Sequence, residues 1–156
     1  MEDARVADEA DVGRLAELAG RARDELRPLR GGDLFLTREA RSDPLEASFA
    51  ADIADADALV LCGTIDEVIV GYGVVRAERL GDGRVLGRID DLYVEAGGRE
   101  VGVGERLMEE LLAWCAARGC VGVDAIALPG ARETKNFFEG SGFSARLLVM
   151  HHRMSP

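Results

Sequence analysis

The sequence predicts a mixed α/β (α+β) fold, one mixed sheet covered by helices in the order β-α-α-β-β-β-α-β-α-β, as a single domain over residues 1–156. Three observations predict it. Apolar residues recur at helical spacing in three separated segments. Three strand-like runs between residues 58 and 94 are divided only by turn signals, which makes an antiparallel meander. A glycine-rich turn, a long helix and another strand follow, and such a crossover adds a parallel neighbour to the sheet. A chain of 156 residues and 16.7 kDa suits one domain.

The first strand is expected over Ala4 to Ala7. Asp8 then caps a helix with Asp11 in its first turn. Val12, Leu15, Ala19, Ala22 and Leu26 make one helical face, and Arg27-Pro28 ends it. Residues 28–42 read as irregular, with an apolar island at Leu34-Phe35-Leu36. Asp43-Pro44 starts a second helix, a cap followed by proline at the first helical position, with Leu45, Phe49 and Ile53 as its stripe.

Ala58 to Ile65 reads as a strand, Asp66-Glu67 as a tight turn, and Val68 to Leu80 as the next strand. Gly81-Asp82-Gly83 turns the chain into a third strand, Arg84 to Val94. After the glycine-rich segment, Val103, Leu107, Leu111, Trp114 and Cys115 share one face of a helix that runs to Arg118 and stops at Gly119. Val121 to Leu128 reads as a strand and Ala131 to Gly140 as a short helix beyond Pro129-Gly130. Phe143 to His152 reads as the last strand.

The net charge is −10, from 29 acidic and 19 basic side chains. That excludes non-specific binding to nucleic acid or to an anionic membrane, both of which need basic surface. Residues 1–99 carry 22 acidic and 13 basic side chains, so almost all the surplus lies there. Acidic clefts concentrate cations, which points to a cationic acceptor; a solvated surface that aids solubility is the other reading. The longest unbroken apolar run, Leu111 to Ala117, is far short of a membrane span. The acidic start Met1-Glu2-Asp3 has no apolar stretch of the secretory kind.

Cys62, Cys115 and Cys120 are an odd count without CxxC spacing, so neither a zinc site nor a disulfide framework is expected, and a cytoplasmic, reducing home follows. His151 and His152 are adjacent on the expected last strand and face opposite ways, so no metal site is expected.

The segment Arg99-Glu100-Val101-Gly102-Val103-Gly104 lies between a strand and a helix. Glycines there let backbone N–H groups point outward together, and the helix N-terminus adds partial positive charge. The result is an anion cradle suited to a pyrophosphate. No Gly-Lys-Ser/Thr follows, so it is not a Walker loop, and the third glycine of a dinucleotide fingerprint is missing.

Ile89-Asp90-Asp91-Leu92-Tyr93-Val94, then Arg99-x-x-Gly102-x-Gly104, a long helix, and Phe137-Phe138-Glu139-x-x-Gly142-Phe143 together resemble the GNAT superfamily of acyl-CoA N-acyltransferases. The element order matches from residue 4 to 153. The resemblance implies an N-acetyltransferase with acetyl-CoA as co-substrate, no metal, and an amine acceptor. It implies that Arg99, Glu100, Val101, Gly102, Val103 and Gly104 bind the pyrophosphate, and that the strand ending at Val94 binds the pantetheine arm through its backbone. The departures are Ala96 for a frequent proline, Glu100 for the first loop glycine, Val101 for a frequent basic residue, Ala131 for a cofactor-contacting asparagine and Phe138 for the tyrosine that commonly protonates the leaving thiolate. Those losses admit an alternative, a non-catalytic acyl-CoA-binding or regulatory domain on the same fold. A homodimer is compatible with the sequence, which carries no argument for one.

Asp90 and Asp91 are the other place for chemistry. On a regular strand they point to opposite faces. In many members of the resembled family an acidic or histidine base lies an even number of residues before the pantetheine-binding valine, and counting back from Val94 that parity selects Asp90. Its carboxylate would take the proton that an ammonium must lose before attack. The competing reading is a pair of acids at the wet start of a strand.

Overall fold

The computed structural model describes residues 1–156. Strand β1 (Glu2–Val6) leads through a short turn capped by Asp8 into helix α1 (Val12–Leu26). Helices α2 (Gly32–Arg38) and α3 (Leu45–Ala54) follow, then strands β2 (Ala58–Ile65), β3 (Val68–Arg79) and β4 (Val85–Val94). Helix α4 (Val103–Ala117), strand β5 (Val123–Ala125) and helix α5 (Arg132–Gly140) complete the elements. The sheet runs β1-β2-β3-β4-β5, antiparallel as far as β4 and parallel between β4 and β5. The predicted fold class is therefore observed.

The sheet separates two apolar clusters. On one face Val103, Leu107, Met108 and Leu111 of α4 pack with Phe138 of α5 against Leu61, Val75 and Ile89. On the other, Leu15 and Leu18 of α1 and Phe49 of α3 pack against Val60, Cys62, Tyr72 and Val74. Strand residues alternate between the clusters because successive side chains point to opposite faces.

Three expectations need correction. The stretch 28–42 is not wholly irregular. Its apolar island forms α2, entered through Gly31 at φ 78, and a Cβ on Gly32 would stand 2.1 Å from the Leu26 carbonyl oxygen, so only glycine fits. The strand expected over 121–128 keeps only three residues, because its pairing with β4 covers just Gly87–Val123, Arg88–Asp124 and Ile89–Ala125. The last strand, expected over 143–152, does not form. From Ser144 onward every residue is exposed, and none bonds its backbone to the sheet. A strand exists only where a neighbouring edge accepts it, so His151 and His152 lie in an exposed tail rather than on a strand. No helix is long and apolar enough to cross a membrane.

Candidate active site

Strand β4 runs on to Val94 after β5 has stopped pairing at Ile89. Residues 90–94 therefore border a gap in the sheet. Glu95 N–H donates to Val70 O at 2.9 Å, which sets the phase of the β3–β4 ladder. Antiparallel pairs alternate between hydrogen-bonded and unbonded positions. The backbone N–H groups of Leu92 and Val94 accordingly turn away from β3, towards the gap. The Val94 carbonyl is already occupied, by Arg99 Nε at 2.7 Å.

Beyond the gap lies the predicted loop. The backbone N–H groups of residues 100–105 donate to no protein acceptor. Glu100 at φ 67 and Gly102 at φ 98 curl the chain so that these amides precede α4 directly. Six bare donors at a helix N-terminus suit an anion. The cradle is lined by backbone, Glu100 is exposed and bonds to nothing, and the Val103 side chain is fully buried beneath. A Cβ on Gly104 would stand 3.3 Å from the Phe137 ring, so α5 closes the inner side of the loop. The residues fit a pyrophosphate held by main chain. Arg99 is turned elsewhere. Its guanidinium lies 5.5 Å over the Tyr93 ring and donates to Glu25 of α1 at 2.8 Å.

The acidic pair is not arranged as strand alternation predicts. The β3–β4 register shifts between Val74 and Val75, so that Val74 faces Asp91 while Val75 faces Ile89. Asp90 is the extra residue of a bulge, and a bulge re-aims its side chain. Both carboxylates therefore line one cleft of about 280 Å³, with Glu39, Arg41, Asp52, Arg76 and Arg88. Asp90 accepts from Arg88 Nε at 2.7 Å and from Arg76 Nε at 3.4 Å. Asp91 accepts from Arg41 Nε at 2.8 Å. Burial pushes the Asp91 carboxyl above its ordinary value, against the pull of Arg41. Burial likewise pushes the Tyr93 phenol up to about 12.

A larger adjoining cleft, about 520 Å³, is bounded by α1, α2 and the α2–α3 loop and shares Arg41 and Ser42 with the smaller one. Its charged lining is Arg23, Arg27, Arg38 and Arg41 against Asp33 and Asp43. The acidic surplus of the N-terminal half does not gather here; Asp8, Glu9, Asp66 and Glu67 are spent on exposed turns. The larger cleft is thus richer in arginine, while the smaller one carries Glu39, Asp52, Asp90 and Asp91 against Arg41, Arg76 and Arg88, because net charge says nothing of where charge sits.

The sequence reading brought Asp90, Val94 and residues 99–104 into consideration; Asp90 and Val94 lie on the stretch of β4 that β5 no longer pairs, the loop follows that strand, and of these residues Asp90 alone lines the smaller cleft. The reading missed Arg41, Asp52 and Arg76. Arg41 lies between two helices with no periodic neighbour to mark it, and only its burial singles it out. Phe138 is 8% exposed and packs among the α4 residues with Phe143, its ring centroid 5.3 Å away.

Several solved structures share this architecture. A mutant of the BH1408 protein from Bacillus halodurans is 21% identical, with a TM-score of 0.84 over 97% of this chain and 99% of that one. A Trypanosoma brucei acetyltransferase is 22% identical, with a TM-score of 0.72 over 99% of this chain and 100% of that one. Glucosamine-6-phosphate N-acetyltransferase from Arabidopsis thaliana is 21% identical, with a TM-score of 0.71 over 99% of both chains. At such identities the likeness is one of fold. No curated protein sequence matches the chain significantly. A model of the acetyltransferase (GNAT) family matches residues 23–143, and over that span lie the meander, the gap beside β4, the bare amide loop and α5: the chain belongs to the GNAT family.

Proposed function

We infer that the chain is an N-acetyltransferase that moves the acetyl group of acetyl-CoA to a primary amine of a small molecule or peptide. The run of unbonded amides from Glu100 to Glu105, beside the free edge of β4, is the observation that supports it most directly. Residues 99–104 would hold the pyrophosphate through their backbone, and the edge from Leu92 to Val94 would bind the pantetheine arm. The bound donor supplies a thioester whose carbonyl an amine can attack. The Val94 N–H, turned into the gap, would steady the oxygen on which negative charge grows. Asp90, at the bulge, would receive the proton of the attacking amine. The acceptor would lie in the two joined clefts. Across the two clefts six arginines face six carboxylates, a lining balanced in charge that suits an amine with or without an anionic group.

A second reading, acyl-CoA binding without transfer, is favoured by one observation. Both carboxylates of the pair are engaged by guanidinium groups. One experiment separates the two. Thermal melting with acetyl-CoA at a hundredfold excess over Kd should show about 2.7 kcal/mol of added stability. Thiol release across amines with and without an anionic group should then show turnover. An unmoved melting point overturns both readings, and a shift without turnover on any amine selects the second. Gly104→Asp should abolish the shift, since its side chain meets Phe137 and sets a negative charge in the cradle.

A further inference from the structure

Helix α4 ends in a Schellman cap. The Cys120 N–H donates to the Cys115 carbonyl at 3.1 Å and the Gly119 N–H to the Ala116 carbonyl at 3.0 Å, with Gly119 at φ 70. This pair of bonds brings the side chain of the last helical turn against the side chain just past the glycine, a contact usually made by two apolar groups. Here both positions hold thiols. Cys115 is 1% exposed in the α4 cluster, and Cys120, half-buried, packs against the same cluster. Residues bonded backbone to backbone have Cα atoms about 5–6 Å apart, within the roughly 4.4–6.8 Å that a disulfide spans. Burial first, and then the neighbouring Cys120 thiol, push the Cys115 thiol up to about 12. The third cysteine, Cys62, is fully buried in the cluster on the opposite face of the sheet, and all three are free. The proposed transfer uses none of them.

We propose that Cys115 and Cys120 form a redox-modifiable pair, which a small-molecule disulfide converts into an intrachain disulfide across the cap. Cys120, the more exposed, opens the reaction. It loses its proton to solvent and attacks one sulfur of the small disulfide. The new S–S bond forms as the old one breaks, and one small thiolate leaves and takes up a proton. Cys115 then loses its proton and attacks the Cys120 sulfur, and the second small thiol leaves in the same way. Two protein thiols are oxidised to one disulfide, and the small disulfide is reduced to two thiols. Burial sets the order: Cys115 is closed to reagents in solution and meets only a sulfur already carried by Cys120. The position gives the bond a structural consequence. A Cβ on Gly87 would stand 2.6 Å from Cys115 Sγ, and the Gly87 N–H donates to the Gly122 carbonyl at 2.9 Å where β5 begins to pair with β4. The disulfide therefore fastens the end of α4 to the chain entering β5.

The test is incubation of the reduced full chain with glutathione disulfide, an acid quench, and a thiol count after unfolding in guanidinium. Free thiols should fall from three to one per chain, with an intact mass lower by two hydrogens. Trypsin cuts after Arg118, between the two cysteines, so peptides 107–118 and 119–132 should stay joined until reduced. Cys62→Ala should still form the bond, and Cys120→Ser should keep both of its remaining thiols. Three thiols retained, glutathione left on Cys120 without closure, a bond to Cys62, or a bond between copies each overturns the proposal. A Cys120→Ser chain that is itself modified at Cys115 overturns it as well.

Discussion

Arg41 donates from Nε to Asp91 Oδ2 at 2.8 Å and from Nη1 to Asp52 Oδ2 at 2.6 Å, with a side chain only 6% exposed. One guanidinium thereby ties the loop before α3 to α3 itself and to the bulged stretch of β4. It also stacks on Phe49, 4.1 Å from the ring centroid. Arg41 also lines both clefts and so joins one to the other.

Removing that guanidinium leaves a buried carboxylate without a partner. Arg41→Ala should cost about 3–5 kcal/mol in chemical denaturation. Adding Asp91→Asn should recover part of the loss, since the uncompensated charge goes with it. A cost below about 1 kcal/mol, or full additivity of the two changes, would show that the pair is not coupled.

The pair Arg5–Asp11 sets an acid limit on stability. Arg5 meets Asp11 through two bonds of 2.8 and 2.9 Å, and Asp8 N–H adds a third at 2.9 Å. The Arg5 guanidinium lowers the Asp11 carboxyl from 3.8 to about 2. A depressed folded value contributes stability that is present above the ordinary value and is lost as pH falls. Between pH 3.8 and about 2 the protein should lose on the order of 1–2 kcal/mol through this group, discounted because Arg5 is half-exposed. Asp11→Asn should be less stable at pH 7 and should lack that share of the acid slope. Parallel slopes for both proteins over that range would remove Asp11 from the account.

Asp90 and Asp91 share a cleft, so kinetics must tell them apart. Asp90→Asn should lower kcat/KM by roughly 10²–10⁴ and leave the acetyl-CoA melting shift intact. Asp91→Asn should act mainly on stability, through Arg41. Its carboxyl is raised by burial, so the stability its neutral form contributes is present at low pH and lost as pH rises through the folded value. Small and equal kinetic effects at both positions would take the pair out of the mechanism.

Phe138 stands where the family commonly has a tyrosine. A thiol near pKa 8.5 leaves tolerably without a proton donor. Transfer should therefore proceed with Phe138, and Phe138→Tyr should change the rate by less than about tenfold. The structure adds a second expectation. The ring is buried among apolar groups, so a phenol without a partner should cost about 1–3 kcal/mol. Transfer appearing only in the tyrosine variant, with stability unchanged, would mark the wild-type chain as a binding domain.

The meander was readable almost to the residue. Ala58–Ile65 is a strand with the expected bounds, and Val68 and Val94 begin and end theirs as expected. Turn residues and alternation are local signals, and local signals survive folding when a paired neighbour is a few residues away. The glycine loop was readable for the same reason. The final strand was not, because a strand also needs backbone bonds to a neighbouring edge, and residues 144–156 make none. Nor was the bulge at Asp90: a register shift belongs to two strands at once and leaves no mark on either.

Composition, periodicity and turn chemistry alone determined the antiparallel meander, four of the five helices, an anion-ready turn before α4, and an acidic pair on the strand that leads to it. Each rests on contacts between residues near in sequence. The tertiary structure decided which face Asp90 takes, that Arg41 and Asp52 enclose Asp91, that the cleft beside α2 is rich in arginine despite a net charge of −10, and that the C-terminal segment stands free of its own sheet. Those depend on registers, on burial and on side chains brought together from tens of residues apart, where charge and polarity act through position in space.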